Sequence, residues 1–281
     1  LKALACQLIV LHHLAFYGPM SDAARPLMPT LMQWLDEYAR MAVQIFLVVS
    51  GFLFAAKFAP AGLPVKLSPL PVLLQRYTRL VVPYSAALLL AVACSAVASV
   101  WMEHESISAA PDLGQLLAHV LLLHDLLDHE ALSAGVWYVA IDFQLFALAI
   151  LLLWLPSRLA ERRPALAVVA PLLVALLTLA SLFSFNRDAF WDETALYFCG
   201  AFGLGILAWW ASSQPRAGRW LALLTAVAVA ALVVDFRARI AVATGVMLFL
   251  GLARQHGFLN TLPVPAAVVH LSRISYSVFL V

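Results

Sequence analysis

Two adjacent histidines lie inside the apolar run at the start of the chain. His12 and His13 fall within residues 1–16, where an imidazole costs free energy unless it has a partner or a task. Lys2 stands eleven positions before His13, which corresponds to about 16 Å along a helix, or half a bilayer. Lys2, His12 and His13 therefore have two interpretations. In the functional one, a histidine is a general base served by a cation that lies nearer one membrane face. In the structural one, one histidine lies at the membrane interface and the other is packed in the core.

Three further polar groups interrupt apolar runs. Ser50 begins a small-residue pair in the second run, a pattern that usually indicates close helix packing. Arg76 and Arg79 are one helical turn apart and suit a phosphate-bearing ligand, although the positive-inside rule also places arginines at such a position. Asp142, with Gln144 close behind it, is the only acid predicted inside a span. A carboxylate at that depth indicates function.

The elements that must position these residues are transmembrane helices. The chain is 64% hydrophobic and 11% charged, with a mean hydropathy of +0.94, so it lacks the polar surface of a soluble domain. Successive apolar runs lie near residues 1–17, 39–56, 80–101, 136–155, 165–184, 195–211, 219–234, 239–253 and 266–281. We predict an all-α, polytopic transmembrane helix bundle of about nine spans in this segment. One further span is expected outside it, which makes ten in the full protein.

The charges between these runs are asymmetric. The loops after the even-numbered spans hold one acid, Glu161, and ten cations: Lys57, Lys66, Arg76, Arg79, Arg158, Arg162, Arg163, Arg216, Arg219 and Arg254. The opposite side holds thirteen acids: Asp22, Asp36, Glu37, Glu103, Glu105, Asp112, Asp125, Asp128, Glu130, Asp188, Asp192, Glu193 and Asp235. Because cytoplasmic loops accumulate Lys and Arg, the N-terminus is predicted to be cytoplasmic. Nothing in this distribution indicates nucleic-acid binding.

Metal chemistry has little support in the sequence. Among the motifs, there is no CxxC and no HExxH. His119, His124 and His129 are five residues apart, a spacing that directs side chains to diverging faces of a helix. We therefore predict no metal site and expect these histidines to line an outer loop.

Five segments, in order, resemble the acyltransferase-3 family of integral membrane acyltransferases. Residues 1–13 keep the spacing of the family pattern LRGLAxxxVxxxH, with Lys2 in the place of Arg. Residues 45–53 resemble FFVLSGFL, and residues 75–84 resemble RRxxRIxPxY. Residues 137–146 match WSLxxExQFY with Asp142 in the place of Glu, and residues 272–281 resemble GRISYSLYLxH. The resemblance implies that residues 1–281 form one acyltransferase-3-like transmembrane domain, truncated at both ends.

This resemblance also implies an activity. The family moves an acyl group, mostly acetyl, from cytoplasmic acyl-CoA to a hydroxyl of an extracytoplasmic carbohydrate or glycolipid, with no metal, in the class EC 2.3.1.-. It implies a multi-pass protein of the bacterial cytoplasmic membrane, whose partners are acyl-CoA, the acceptor and the lipid bilayer. A polytopic exporter or flippase of a glycan precursor or small molecule is the alternative.

Roles follow residue by residue from the same resemblance. His13 would be the catalytic base or the acyl carrier, and Asp142 would fix or stabilise its imidazole. The phosphates of acyl-CoA would bind Arg76 and Arg79, with Lys2 as a weaker candidate because an ammonium cannot reproduce a bidentate guanidinium contact. The candidates for binding the acceptor are Ser50, Trp137 and Gln144.

Overall fold

The computed structural model describes residues 1–63, 68–161, 163–261 and 265–280. Lys66 and Arg162, two of the cations predicted to be cytoplasmic, lie outside the described residues. Thirteen α-helices are present in the described part: α1 Lys2–Phe16, α2 Pro19–Ala24, α3 Pro29–Glu37, α4 Val43–Phe58, α5 Pro69–Trp101, α6 Leu113–Val120, α7 Val136–Ala160, α8 Val169–Phe183, α9 Ala195–Ser212, α10 Ala217–Val234, α11 Ala238–Gln255, α12 Phe258–Thr261 and α13 Ala266–Leu280. No strand occurs in these ranges, so the all-α prediction is confirmed.

Each of the nine predicted apolar runs coincides with a helix. Within the described ranges, seven helical stretches are long and apolar enough to cross a membrane. The other two runs form α1 and α13, each of 15 residues, which is shorter than the roughly 20 residues that a span needs. The prediction of a polytopic helix bundle is confirmed, and its count of nine spans is approximate.

The chain divides into two compact units. Unit 1 comprises Leu1–Val43, Arg76–Phe143 and Pro265–Val281, and unit 2 comprises Gln44–Gln75 and Gln144–Val264. Since each unit draws on distant segments of the chain, long-range packing rather than sequence proximity builds both of them. The expectation of a single domain over residues 1–281 stays a prediction.

In unit 1, α1 packs against α3 and α13. Ala15 of α1 forms a buried apolar cluster with Met32 and Leu35 of α3. At the other end of α1, the Cys6 thiol donates a hydrogen bond to the Ser275 carbonyl of α13 at 3.2 Å. These contacts hold α1 at both ends and thereby fix the positions of its polar side chains.

Unit 2 is organised around α9, which packs against α8, α10 and α11. Helix α4 approaches α9 closely at two glycines. A Cβ at Gly51 would overlap the Phe202 carbonyl oxygen, and one at Gly205 would overlap the Val48 carbonyl oxygen. Because both obstacles are backbone atoms, the two helices require glycine at these positions. The interpretation of the Ser50-Gly51 pair as a helix-packing element is confirmed for Gly51.

Candidate active site

Of the two histidines on α1, His12 has a structural role. Its side chain is buried, and its Nδ1–H donates to the Leu35 carbonyl oxygen at 3.0 Å. Leu35 lies in the last turn of α3, where carbonyl groups have no partner within the helix. His12 therefore satisfies an otherwise unpaired carbonyl and joins α1 to α3.

His13 differs from its neighbour in its hydrogen bonding. The side chain is half-buried between the rings of His12 and Tyr17, whose centroids lie 5.3 and 5.7 Å away. Its Nδ1 is buried and makes no hydrogen bond to any residue that the structure describes. Since a buried polar atom normally has a partner, this imidazole is suited to contact a ligand or reactant.

Three elements of unit 1 bring together a cluster of charged side chains. The Asp142 carboxylate of α7 accepts a hydrogen bond from the Arg76 guanidinium of α5. Lys2 at the start of α1 interacts electrostatically with both groups. Two cations and one carboxylate leave a net charge of about +1, which favours an anionic ligand.

The two members of the ion pair differ in exposure. The Asp142 side chain is 7% exposed and that of Arg76 is 35% exposed. Arg79, one turn further along α5, is exposed. A guanidinium that is oriented by a buried carboxylate but still reaches water is well placed to bind phosphate.

The structure pairs Asp142 differently from the sequence-based prediction. The carboxylate was expected to orient the His13 imidazole, whereas its hydrogen bond goes to Arg76. Within the described ranges, no hydrogen bond joins Asp142 to His13. The orienting role of Asp142 stays a prediction. The contact between Asp142 and Arg76 is known only from the tertiary structure.

The three candidate acceptor-binding residues divide between the units. Trp137 lies half-buried at the start of α7 in unit 1, with its ring edge-on to Tyr138. Ser50 is half-buried in unit 2. Gln144, also in unit 2, accepts a hydrogen bond through Oε1 from the Ala195 N–H, which begins α9. One end of the Gln144 amide therefore serves as a helix cap, and acceptor binding by these three residues stays a prediction.

His119 and His124 contradict the expectation of a histidine-lined outer loop, because neither side chain has any solvent exposure. His119 donates from Nδ1 to the Gln115 carbonyl at 2.8 Å and accepts from the Leu132 N–H at Nε2. The two rings stack with centroids 4.2 Å apart. Burial and the nearby imidazoles of His119 and His129 lower the pKa of His124 to about 4, so its ring is neutral at pH 7.

Two tyrosines of unit 1 were not predicted as site residues. The Tyr276 hydroxyl donates to the Leu80 carbonyl at 2.9 Å and interacts electrostatically with Asp142 and Arg76. Tyr84 is 1% exposed, and its hydroxyl makes no hydrogen bond to any described residue. Both belong to segments that carry the family resemblance, and this was the signal available in the sequence. Among the described residues, no group of three or more His, Cys, Asp or Glu side chains could hold a metal ion.

Comparison with known proteins agrees with the family resemblance of the five sequence segments. The acyltransferase-3 family model, described as an acyltransferase domain, matches residues 1–281. No curated protein and no solved structure matches the chain significantly. A match over the whole chain, together with apolar helices of spanning length, identifies an enzyme that transfers acyl groups and lies in a membrane. The chain therefore belongs to the acyltransferase-3 family of membrane acyltransferases.

Proposed function

We propose that this protein moves an acyl group, in particular acetyl, from cytoplasmic acyl-CoA to a hydroxyl of an extracytoplasmic carbohydrate or glycolipid. The observation that carries the proposal is the arrangement along α1. Lys2, at its first turn, joins a cluster of net positive charge, and His13, near its last turn, has a buried Nδ1 without a hydrogen bond to any described residue. An anion-binding group and a reactive imidazole thus share one rigid element.

The charged cluster would hold the phosphates of the donor. Arg76 supplies a planar guanidinium that Asp142 already orients, and Arg79 offers a second one a turn away. Lys2 adds a point charge. The pantetheine arm of CoA separates its phosphates from its thioester, which suits the distance of about 16 Å along α1 between Lys2 and His13.

His13 would then act on the acyl group in one of two ways. As a general base, its imidazole takes the proton of the acceptor hydroxyl while the oxygen attacks the thioester carbonyl, and the proton passes to the departing CoA thiolate. As a carrier, an imidazole nitrogen first attacks the thioester and releases CoA, and the acceptor oxygen then takes the acyl group. Both routes yield an ester and the free CoA thiol.

The candidates for binding the acceptor are Trp137 in unit 1 and, separately, Ser50 and Gln144 in unit 2. Trp137 offers an aromatic face for stacking. The Nε2 of Gln144 is buried and has no hydrogen-bond partner among the described residues, so it is a donor suited to an acceptor hydroxyl. Gln144 would then bind ligand with one end of its amide while the other end caps α9.

The location proposed for the enzyme is the cytoplasmic membrane of a bacterium, with the N-terminus on the cytoplasmic side. Supporting this orientation, the loops after even-numbered spans are rich in Lys and Arg. The donor cluster at Lys2 would then open toward the compartment that contains acyl-CoA.

Acyl transfer from radiolabelled acetyl-CoA, in membranes that contain the full-length protein, tests this function. We expect label in the glycan fraction for the wild type and for His12→Ala at a permissive temperature, and none for His13→Ala. Transfer that survives His13→Ala would contradict the proposed centre. Export of a glycan precursor in membranes depleted of acyl-CoA, without any transfer, would favour the exporter or flippase.

A rapid-quench experiment separates the two routes. Purified protein is mixed with labelled acetyl-CoA in the absence of acceptor, and protein-bound label is measured. Label that appears in wild type but not in His13→Ala indicates the carrier, whereas unlabelled protein that remains competent for transfer indicates the base.

A further inference from the structure

Three side chains outside the site described above form a hydrogen-bonded series in unit 1. Asp22 lies on α2, whereas His104 and Ser106 follow the end of α5. The His104 Nε2 lies 3.3 Å from the Asp22 Oδ2, and its Nδ1 lies 2.8 Å from the Ser106 Oγ. An imidazole therefore joins a carboxylate to a hydroxyl, which is the order of groups in a Ser-His-Asp triad.

The backbone fixes which nitrogen of this imidazole carries the proton. The Ser106 N–H donates to the His104 Nδ1 at 3.1 Å, and a backbone N–H can only donate. The Nδ1 is therefore an acceptor without a proton. In this tautomer the Nε2–H donates to the Asp22 carboxylate, and the Ser106 hydroxyl donates to Nδ1. His104 is thus oriented to take the Ser106 proton, with its two ring nitrogens in exchanged roles relative to the usual triad.

The three groups differ in exposure in a way that suits attack on a ligand. Ser106 is exposed, so its hydroxyl is accessible. The side chain of His104 is only 20% exposed, whereas that of Asp22 is 68% exposed. Because water screens an exposed carboxylate, Asp22 orients the imidazole more than it stabilises a charge on it.

Ser106 lies beside the end of α1 that carries His13. The His13 side chain belongs to the last turn of α1, and its ring packs against that of Tyr17. Gly18 follows directly, and a Cβ at Gly18 would lie 3.7 Å from the Ser106 Oγ. The φ of +89° at Gly18 favours glycine, and glycine leaves the hydroxyl uncovered on that side. A second nucleophile therefore lies near the imidazole proposed to carry the acyl group.

The charges around the series indicate the side of the membrane on which it lies. Glu103 and Glu105 flank His104 in the sequence, and the carboxylate of the series is Asp22. All three acids belong to the side that is poor in Lys and Arg, which is extracytoplasmic by the proposed orientation. The acceptor hydroxyl would arrive from the same side.

We propose that Ser106 is a second nucleophile, which takes the acyl group from His13 and passes it to the acceptor hydroxyl. In the first step the Ser106 Oγ attacks the acyl carbon, and the bond from that carbon to the His13 nitrogen breaks. His104 takes the hydroxyl proton, which then passes to the departing His13 imidazole.

The second step repeats this chemistry with the acceptor. The acceptor oxygen attacks the ester carbon on Ser106, and His104 takes the proton of the acceptor hydroxyl and returns it to the departing serine oxygen. His104 ends each step in its starting form, and the product is the acceptor ester. The acyl steps rest on the carrier route of the proposed function, whereas the reactivity of Ser106 does not.

Reaction of the purified full chain, in detergent micelles, with a fluorophosphonate probe tests the nucleophile. The serine oxygen attacks phosphorus and fluoride leaves, and mass spectrometry locates and quantifies the adduct. We expect labelling of Ser106 in the wild type and a rate about 100-fold lower in His104→Gln, because a positioned general base contributes at least about that factor. Asp22→Asn should lower the rate about tenfold by removing a charge-assisted hydrogen bond, and Asp22→Glu should recover part of that loss.

Ser99 provides the matched control. It is also exposed and lies near the end of α5, but its hydroxyl donates to the Ala96 carbonyl of its own helix at 3.0 Å. Ser99 should stay unlabelled, and Ser99→Ala should leave the labelling of Ser106 unchanged. Equal labelling of Ser99 and Ser106, or a Ser106 rate that His104→Gln does not lower, would overturn the proposal and assign these hydrogen bonds to a turn of the loop.

Labelled acetyl-CoA tests the acyl steps. With acceptor withheld, rapid quenching should find label on Ser106 in the wild type and on His13 in Ser106→Ala. Addition of acceptor should discharge the label from the wild type, and Ser106→Ala should lose transfer to the acceptor. Transfer that persists in Ser106→Ala would overturn the proposal.

Failure of this inference and failure of the proposed function give different results. Transfer from acetyl-CoA by a protein whose Ser106 does not react with fluorophosphonate refutes the inference alone. A Ser106 that reacts in a His104-dependent manner, in a protein that transfers nothing from acetyl-CoA, supports the nucleophile and refutes the proposed function.

Discussion

Replacing Arg76 by Gln should destabilise the protein more than replacing Asp142 by Asn. The two side chains form one ion pair, but Asp142 is 7% exposed and Arg76 is 35% exposed. Loss of Arg76 leaves a buried carboxylate with Lys2 as its nearby cation. Loss of the carboxylate charge leaves a guanidinium that already reaches water.

The expected magnitudes follow from these exposures. Removing one partner of a fully buried pair costs about 3–5 kcal/mol, and partial compensation by Lys2 places Arg76→Gln at about 3 kcal/mol. Asp142→Asn introduces an amide that still accepts a hydrogen bond, and solvent screens the charge of the partly exposed Arg76. We therefore expect this change to lower the free energy of unfolding by about 1–2 kcal/mol. The double variant removes both charges of the pair and leaves Lys2 as the charge of the cluster, and its cost should fall short of the sum by about 1–2 kcal/mol.

The assay is reversible unfolding in mixed micelles, with wild type, both single variants and the double variant. Arg79→Gln is the control, because this exposed arginine lies one turn away on the same helix, and it should change stability by less than about 0.5 kcal/mol. Acyl-CoA binding to the same samples provides a second readout. Asp142→Asn raises the net charge of the cluster and should retain or strengthen binding, whereas Arg76→Gln lowers the charge and should weaken it.

Equal costs for the two single variants would refute the argument from exposure. A double variant whose cost equals the sum would show that the two groups do not stabilise each other. If Asp142→Asn weakened acyl-CoA binding as much as Arg76→Gln, the orientation of the guanidinium rather than the charge of the cluster would control binding.

Three further results are expected. His12→Phe should cost about 1 kcal/mol by removing the donor to Leu35 while acyl transfer persists, and loss of transfer in stably folded protein would contradict the structural role of His12. Gly203→Ala should cost about 1–3 kcal/mol because the new Cβ overlaps the Thr178 hydroxyl; Thr178→Ala should recover part of that cost, and additive losses would exclude the clash. The pKa of His124 lies near 4 in the folded protein rather than at 6.5. Between pH 6.5 and 4, the imidazole of the unfolded chain is therefore protonated while that of the folded protein is not. The free energy of unfolding should fall by up to about 3 kcal/mol as the pH decreases from about 6.5 to 4. His124→Phe should abolish that dependence in pH-dependent unfolding, and an unchanged slope would assign it to another group.

The membrane helices were predictable because apolar length is a property of contiguous residues. The nine predicted runs coincide with helices, and the largest difference in boundary is at α5. Its apolar part was predicted from residue 80, but the helix begins at Pro69. Polar residues such as Gln75 and Arg76 reduce hydropathy without opposing helix formation, and proline is favoured in the first turn.

Predictions for the site residues depended on side-chain type, and their outcomes depended on packing. Residue type does not distinguish His12 from His13, since both are imidazoles on one helix, and only the spacing of the family pattern favoured His13. The position of the Leu35 carbonyl decides that His12 is the structural one. Asp142 was identified as an unusual membrane carboxylate, but its partner, Arg76, is 66 residues away in the sequence, and a single sequence does not contain that pairing.

The sequence by itself determined the class of protein and the chemical inventory. Hydropathy indicated helices in a membrane, the order of five segments indicated the acyltransferase-3 family, and residue types marked cations, imidazoles and one buried acid as candidates. Only the tertiary structure decided which of these groups are satisfied, such as His12 and His119, and which lack a hydrogen bond within the described residues, such as the Nδ1 of His13. The physical reason is that hydropathy and helix propensity act locally along the chain, whereas hydrogen bonding and ion pairing depend on groups that folding alone brings into contact.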